Sequence, residues 1–184
     1  AHAERAMAVL DPLKLTITDY EGEEELDFDV NQADENAGTR KVKFGKHLFI
    51  ERSDFSLNPP PKYFRLKKDG YVRLKNAYIV HCDDVRTDEN GEVCEVLCTH
   101  VPESRSGHDT SGIKVKGVIH WVNADDCADC EVRQYESLLR DADYAGQDFT
   151  ERMNENSEHI FAGKAEPYLA RAAEGTPFQL MRTG

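Results

Sequence analysis

Six basic residues and one acid fall within the stretch KYFRLKKDGYVRLKNAYIV, Lys62 to Val80, of a chain whose formal net charge is −12. Arg65 and Lys67 precede Asp69-Gly70, and Arg73 and Lys75 follow it, each pair at alternate positions, with Tyr71 beside them. Guanidinium groups make bidentate hydrogen bonds to phosphates and base edges, and aromatic rings stack on unpaired bases. These residue types at this spacing suit a single-stranded nucleic acid. A solvated hairpin face is the competing reading of the same residues.

The spacing also predicts a register. A two-residue turn at Asp69-Gly70 would oppose Arg65 to Leu74 and Leu66 to Arg73, mixing polar and apolar partners on both faces. A three-residue loop, Lys68-Asp69-Gly70 with a left-handed glycine, pairs Leu66 with Val72, Phe64 with Leu74 and Arg65 with Arg73. One face is then apolar and the other basic, so this register is preferred. Like charges directly opposed cost on the order of tenths of a kcal/mol to 1 kcal/mol, which a bound anion would relieve.

The elements that must hold this hairpin read as β throughout. LKLTITDY alternates Leu13, Leu15 and Ile17 against Lys14, Thr16 and Thr18, a half-buried strand. EGEEELDFDVNQADENAG reads as a solvated strand followed by a loop, and KVKFGKHLFIER returns to strand character. NPPPK is a rigid connection with little helix potential. Asn90-Gly91 is a strong hairpin signal. SRSGHDTSG, Ser104 to Gly112, reads as a flexible polar loop, IKVKGVIHWV as a strand and TPFQLM as another. EPYLARAAEG is the helical piece, with Gly175 as its candidate C-cap.

Composition sets the class. A chain of 184 residues, 39% hydrophobic and 9% aromatic, suits one domain or two small ones with a modest core. No apolar run reaches membrane-span length, and no signal-peptide pattern opens the chain. Five cysteines without framework spacing read as reduced thiols of a cytoplasmic protein. Cys127 and Cys130 have zinc-ligand spacing but lack a second pair of ligands, so no metal is expected. Cys94 and Cys98 lie about 13 Å apart along a strand, too far to share a metal. His120 reads as structural. Asp83-Asp84 and Asp125-Asp126 point to opposite faces of strands and make no acid/base dyad. No catalytic residue and no phosphate-binding glycine loop is found.

Three long stretches carry a more specific signal: RAMAVLDPLKL, RLKKDGYVRLKNAYIV and ESRSGHDTSGIKVKGVIHWV. Together with GKAEPYLARAAEGTPFQLMRTG they closely resemble, in order, the C-terminal region of glutaminyl-tRNA synthetases. The resemblance implies an all-β fold of two antiparallel six-stranded β-barrels of the ribosomal L25 type, with one short helix near 166–174. It implies a first barrel over 16–112 and a second over 113–184. Residues 1–15 are candidates to complete the second, which is cut short at its C-terminal end, where RTG looks like the start of a hairpin turn. It also implies that anticodon bases are splayed into separate pockets, and that Arg5, Arg65 and Arg73 match arginines placed at the anticodon. Lys67 and Lys75 join them on electrostatic grounds.

The parent enzymes of this family are class I ligases that join glutamine to its tRNA with ATP and Mg²⁺. Their nucleotide-binding fold, with its HIGH- and KMSKS-type signatures, is not in this sequence. The expectation is therefore a non-catalytic, cofactor-free anticodon-binding fragment. Its expected partners are the glutamine tRNA and the N-terminal catalytic domain of the same enzyme, with neither DNA nor membrane. An L25-like structural rRNA-binding protein and a protein-interaction barrel are the alternatives, the second favoured by the acidic charge balance.

Overall fold

Leu13, Leu15 and Ile17 are buried and Lys14 between them is exposed, as the alternation predicts. The same rule builds the acidic stretch, where Leu26 and Phe28 turn inward while Glu25, Asp27 and Asp29 face solvent. The computed structural model describes residues 3–31, 33–139 and 153–180, and among these the regular structure is almost entirely strand. In chain order the first strands are β1 (Glu4–Ala6), β2 (Ala8–Val9), β3 (Pro12–Ile17), β4 (Glu23–Asp29), β5 (Thr39–Gly45) and β6 (His47–Glu51). They are followed by β7 (Phe55–Ser56), β8 (Leu66–Lys67), β9 (Tyr71–Leu74), β10 (Ile79–Thr87) and β11 (Val93–Val101). The chain continues through β12 (Val118–Ile119), β13 (Val122–Asn123), β14 (Ala128–Tyr135), β15 (Glu158–Ala165), the helix α1 (Pro167–Ala170) and β16 (Phe178–Leu180).

The main sheet has seven strands in the order β12-β9-β10-β11-β3-β6-β13. Its two edge strands, β12 and β13, are separated in the chain by His120 and Trp121 alone. Three residue steps span at most about 10 Å. Six inter-strand steps of a flat sheet would set the edges roughly 29 Å apart. The sheet must therefore curl back on itself, and the all-β, barrel-type expectation holds. In detail its ladders are mixed, since β11 pairs with β3 and β9 with β12 in parallel. Antiparallel ladders join the chain neighbours β9, β10 and β11, but also β3 with β6 and β6 with the distant β13. The other sheets are β14-β15-β2, β4-β5, β1-β16 and β7-β8.

Trp121 is fully buried at the closure, its ring edge-on to Phe44 at 5.1 Å and to Phe28 at 6.1 Å. Its indole N–H donates to the Lys75 carbonyl at 2.9 Å. IKVKGVIHWV is thus not one strand. It pairs with β9 at Val118–Ile119 and then with β6 at Val122–Asn123, because it joins the two edges of the curled sheet. The Asn90-Gly91 hairpin forms between β10 and β11, with Gly91 at φ 82°. The helix is shorter than the sequence suggests. It ends at Ala170 with Arg171 as its cap, and none of its residues is buried deeply enough to reward further turns. The expected hairpin turn at Arg182–Gly184 lies outside the described residues.

The register expected between Arg65 and Arg73 is not formed. β8 pairs with β7, Leu66 opposite Phe55, while β9 pairs with β10 and β12. The 114–118 segment lies between the two limbs. The Arg73 amide donates to the Gly117 carbonyl at 3.1 Å, and a Cβ added at Gly117 would sit 1.6 Å from the Phe64 carbonyl oxygen. The turn also differs. Asp69, at φ 55°, is the left-handed residue, and Gly70 is required because a Cβ there would come within 2.7 Å of the Lys67 side chain.

Gly117→Ala should therefore destabilise the fold by about 2 kcal/mol or more, because backbone faces backbone and neither limb can yield. Thermal and urea unfolding check this; an unchanged midpoint would show that the limbs can separate.

Candidate nucleic-acid interface

The residues that build the site come from three neighbouring segments. On the first limb Leu66 is buried, and Arg65 and Lys67 on either side of it are exposed. On β9, Val72 and Leu74 are buried, so Tyr71, Arg73 and Lys75 turn outward. Between them, Lys114, Lys116 and Val118 alternate outward along the inserted segment. The result is a group of outward basic side chains with Phe64 exposed among them: Arg65 and Lys67 on the first limb, Arg73 and Lys75 on and just after β9, and Lys114 and Lys116 on the segment that runs between the limbs. Phe64, expected on the apolar face, is instead 51% exposed, with the Lys116 ammonium 5.1 Å from its ring centre. Tyr71 stands 4.6 Å from His81, directly across the ladder to β10.

Each arginine is held by an acid. Arg65 Nε lies 3.2 Å from Asp54 Oδ1 as an ion pair, and Arg65 Nη1 donates to the Ser53 carbonyl at 3.2 Å. Asp54 has no exposed surface. Arg73 Nη1 donates to the Ser104 carbonyl at 2.6 Å, and Nη2 donates to the Asp109 carboxylate. Hydrogen bonds from the Ser111 hydroxyl and amide, and then from Arg73, hold the Asp109 carboxyl below the usual range. The SRSGHDTSG stretch, expected as a flexible polar loop, is therefore partly a clamp on Arg73. Lys68 is drawn to Asp84 at 3.1 Å, which raises the ammonium pKa. Among the described residues Lys67, Lys75, Lys114 and Lys116 make no ion pair and remain available to a polyanion.

Arg5 stands apart from this face. It lies on β1 opposite Gln179 of β16, half-buried, and its amide donates to the Val30 carbonyl at 2.8 Å. Sequence reasoning missed Phe64, Lys114, Lys116 and Asp109. The period-two lysines of IKVKG carried a readable signal; Asp109 did not.

All five cysteines are free thiols. Cys98, which the sequence set beside Cys94, instead faces Cys82 across β10 and β11, both fully buried. The hydrogen bond to Cys82, then burial, pushes the Cys98 thiol far up, so it is no thiolate nucleophile. Among the described residues no group of three or more His, Cys, Asp or Glu is arranged to hold a metal. Among the described residues no helix is long and apolar enough to cross a membrane.

Basic side chains with exposed aromatics on a curled β-sheet are the chemistry that nucleic-acid-binding proteins use. Residues 3–101 match the family described as "tRNA synthetases class I (E and Q), anti-codon binding domain", and residues 118–184 match a second family of the same description. The chain belongs to this family of anticodon-binding domains. It is 50% identical over 186 residues to the glutamine–tRNA ligase of Clostridium perfringens, covering 99% of this chain and 34% of that relative. It is 47% identical over 188 residues to the glutamine–tRNA ligase of Rhodopirellula baltica, with 99% and 31% covered. With that of Pseudomonas aeruginosa it shares 40% over 190 residues, 100% of this chain and 34% of the relative. The chain spans about a third of the length of these curated relatives.

Arg65→Ala should lower stability by about 1–3 kcal/mol, because it strips a fully buried carboxylate of its counter-charge, discounted for the arginine's own exposure. Arg65→Ala in an Asp54→Asn background should cost less. Equal losses in both backgrounds, measured by denaturant unfolding, would show that the pair is not coupled.

Proposed function

We propose that this chain is the anticodon-binding part of a glutamine–tRNA ligase and recognises the anticodon loop of the glutamine tRNA without performing chemistry. The observation that carries the reading is the outward basic face, Arg65, Lys67, Lys114, Lys116, Arg73 and Lys75, with Phe64 and Tyr71 exposed within it. It lies on a chain similar to such ligases along its length. The lysines draw in phosphates, the two tethered arginines discriminate base edges, and the exposed rings offer stacking surfaces. Arg5 contacts the loop from the β1–β16 side. The whole enzyme ligates glutamine to its tRNA with ATP and Mg²⁺ on a catalytic domain outside these 184 residues, in the cytoplasm. The chain divides into two barrels, the division expected at 112/113 falling after β13 because β12 and β13 are strands of the main sheet, while β1 and β2, within residues 1–15, pair with β16 and β15 of the second.

Arg65→Ala and Arg73→Ala should each weaken binding of the cognate anticodon stem-loop by about 1–3 kcal/mol, measured by titration below the unfolding transition. Affinity should fall steeply with salt, by a slope of about 0.7 per phosphate contacted. Unchanged affinity in both variants, or equal affinity for an arbitrary RNA helix, would overturn the assignment. The second result would favour a structural RNA-binding role of the L25 type.

A further inference from the structure

Arg73 is fixed more tightly than a surface arginine needs to be. Its Nη1 donates to the Ser104 carbonyl at 2.6 Å and lies 3.5 Å from the Ser106 hydroxyl, and its Nη2 donates to Asp109. Ser104 is fully buried and itself immobilised: its hydroxyl accepts from the Ile79 amide at 2.7 Å and donates to the Val101 carbonyl at 2.6 Å. The loop is laced down on both sides of Arg105, through Ser106 N–H to the Ala77 carbonyl at 2.9 Å and Thr110 N–H to the Glu103 carbonyl at 2.8 Å. Asp109 is oriented in turn. Its Oδ1 accepts from the amide and hydroxyl of Ser111, at 2.8 and 2.7 Å, which turns Oδ2 towards Arg73. Ser111 thus fixes Asp109, and Asp109 fixes the guanidinium.

From this chain of contacts we infer that Asp109 is a positioning residue for anticodon recognition, acting through Arg73 to hold its guanidinium in one orientation before RNA arrives. The inference rests on the proposed role of Arg73 at the anticodon. A guanidinium carries five N–H donors, and Ser104, Ser106 and Asp109 engage three of them, leaving two. A donor set already frozen does not lose rotamer freedom on binding, and it rejects a base whose acceptors lie elsewhere. The charge of Asp109 works against a general attraction. A carboxylate on a polyanion-binding face repels phosphate, so simple electrostatics predicts that its removal tightens binding of every RNA. A positioning role predicts the opposite sign for the cognate loop.

The test uses the full-length protein with the glutamine-tRNA anticodon stem-loop and three stem-loops, each with one anticodon base replaced. Asp109→Ala should weaken the cognate complex about tenfold and shrink the cognate-to-substituted ratio at one base position. Asp109→Asn, which keeps an acceptor, should recover part of that loss. In an Arg73→Ala background Asp109→Ala should change affinity by less than about twofold, the mark of a residue acting through its partner. Uniform tightening of all four complexes by Asp109→Ala overturns the inference, as does an equal effect with and without Arg73. If Arg73→Ala weakens the cognate complex while Asp109→Ala does not, this inference alone fails. If Arg73→Ala has no effect, the anticodon role of Arg73 fails first.

Discussion

Arg40 and Glu166 form a buried ion pair on which the arrangement of the chain depends. Their side chains are 6% and 3% exposed, with Nη2 2.5 Å from Oε1 and Nε 3.2 Å from Oε2. The Met7 amide donates to the same carboxylate at 2.6 Å, and Arg40 Nη1 donates to the Asp29 carbonyl at 3.0 Å. The guanidinium also lies within 5.4 Å of the Phe28 ring centre and 5.3 Å of that of Tyr168. Withdrawing each ion from water costs several kcal/mol, so neither could be buried without the other and its added hydrogen bonds. Three distant parts of the sequence are thereby fixed together: the β1–β2 junction, the β4–β5 hairpin and the approach to α1. Arg5 owes its place beside Val30 to this knot two residues away.

The basic face follows from a second constraint, closure of the main sheet. A single segment supplies both edges, so residues 114–118 must cross beside β9 before Trp121 plugs the closure. That crossing parts the two arginine-bearing limbs and inserts Lys114 and Lys116 between them. The opposed-arginine repulsion that a simple hairpin would carry is replaced by separate acid tethers, Asp54 for Arg65 and Asp109 for Arg73. An acidic protein thus presents a cationic surface by pairing its arginines while, among the described residues, Lys67, Lys75, Lys114 and Lys116 make no ion pair. The arginines are held for shape and the lysines remain for charge.

How much of this was legible varies by element. The β3 strand, the acidic strand β4 and the Asn90-Gly91 hairpin followed from alternation and turn chemistry, because each is decided by neighbours in sequence. Arg65 and Lys67 are exposed and Arg73 and Lys75 half-buried around the inward Leu66, Val72 and Leu74, since the parity of a strand fixes which side chains share a face. Their mutual register was not legible. Cross-strand opposition depends on which segment pairs with which, and the intervening segment comes from about fifty residues downstream. The clamp on Arg73 was hidden for the same reason: Asp109 sits in a glycine- and serine-rich stretch that alone looks unstructured.

The sequence by itself determined the β character, the polarity of each strand face, the concentration of cations between Lys62 and Lys75, and membership in a family of anticodon-binding domains. These are local or statistical properties, carried by residue order. Tertiary structure decided that Gly117 parts the limbs, that Phe64 faces solvent, and that buried or oriented carboxylates hold the arginines. Those outcomes depend on closing a curled sheet and on compensating buried charge. Both bring together residues with no sequence proximity, so no window of the chain contains them.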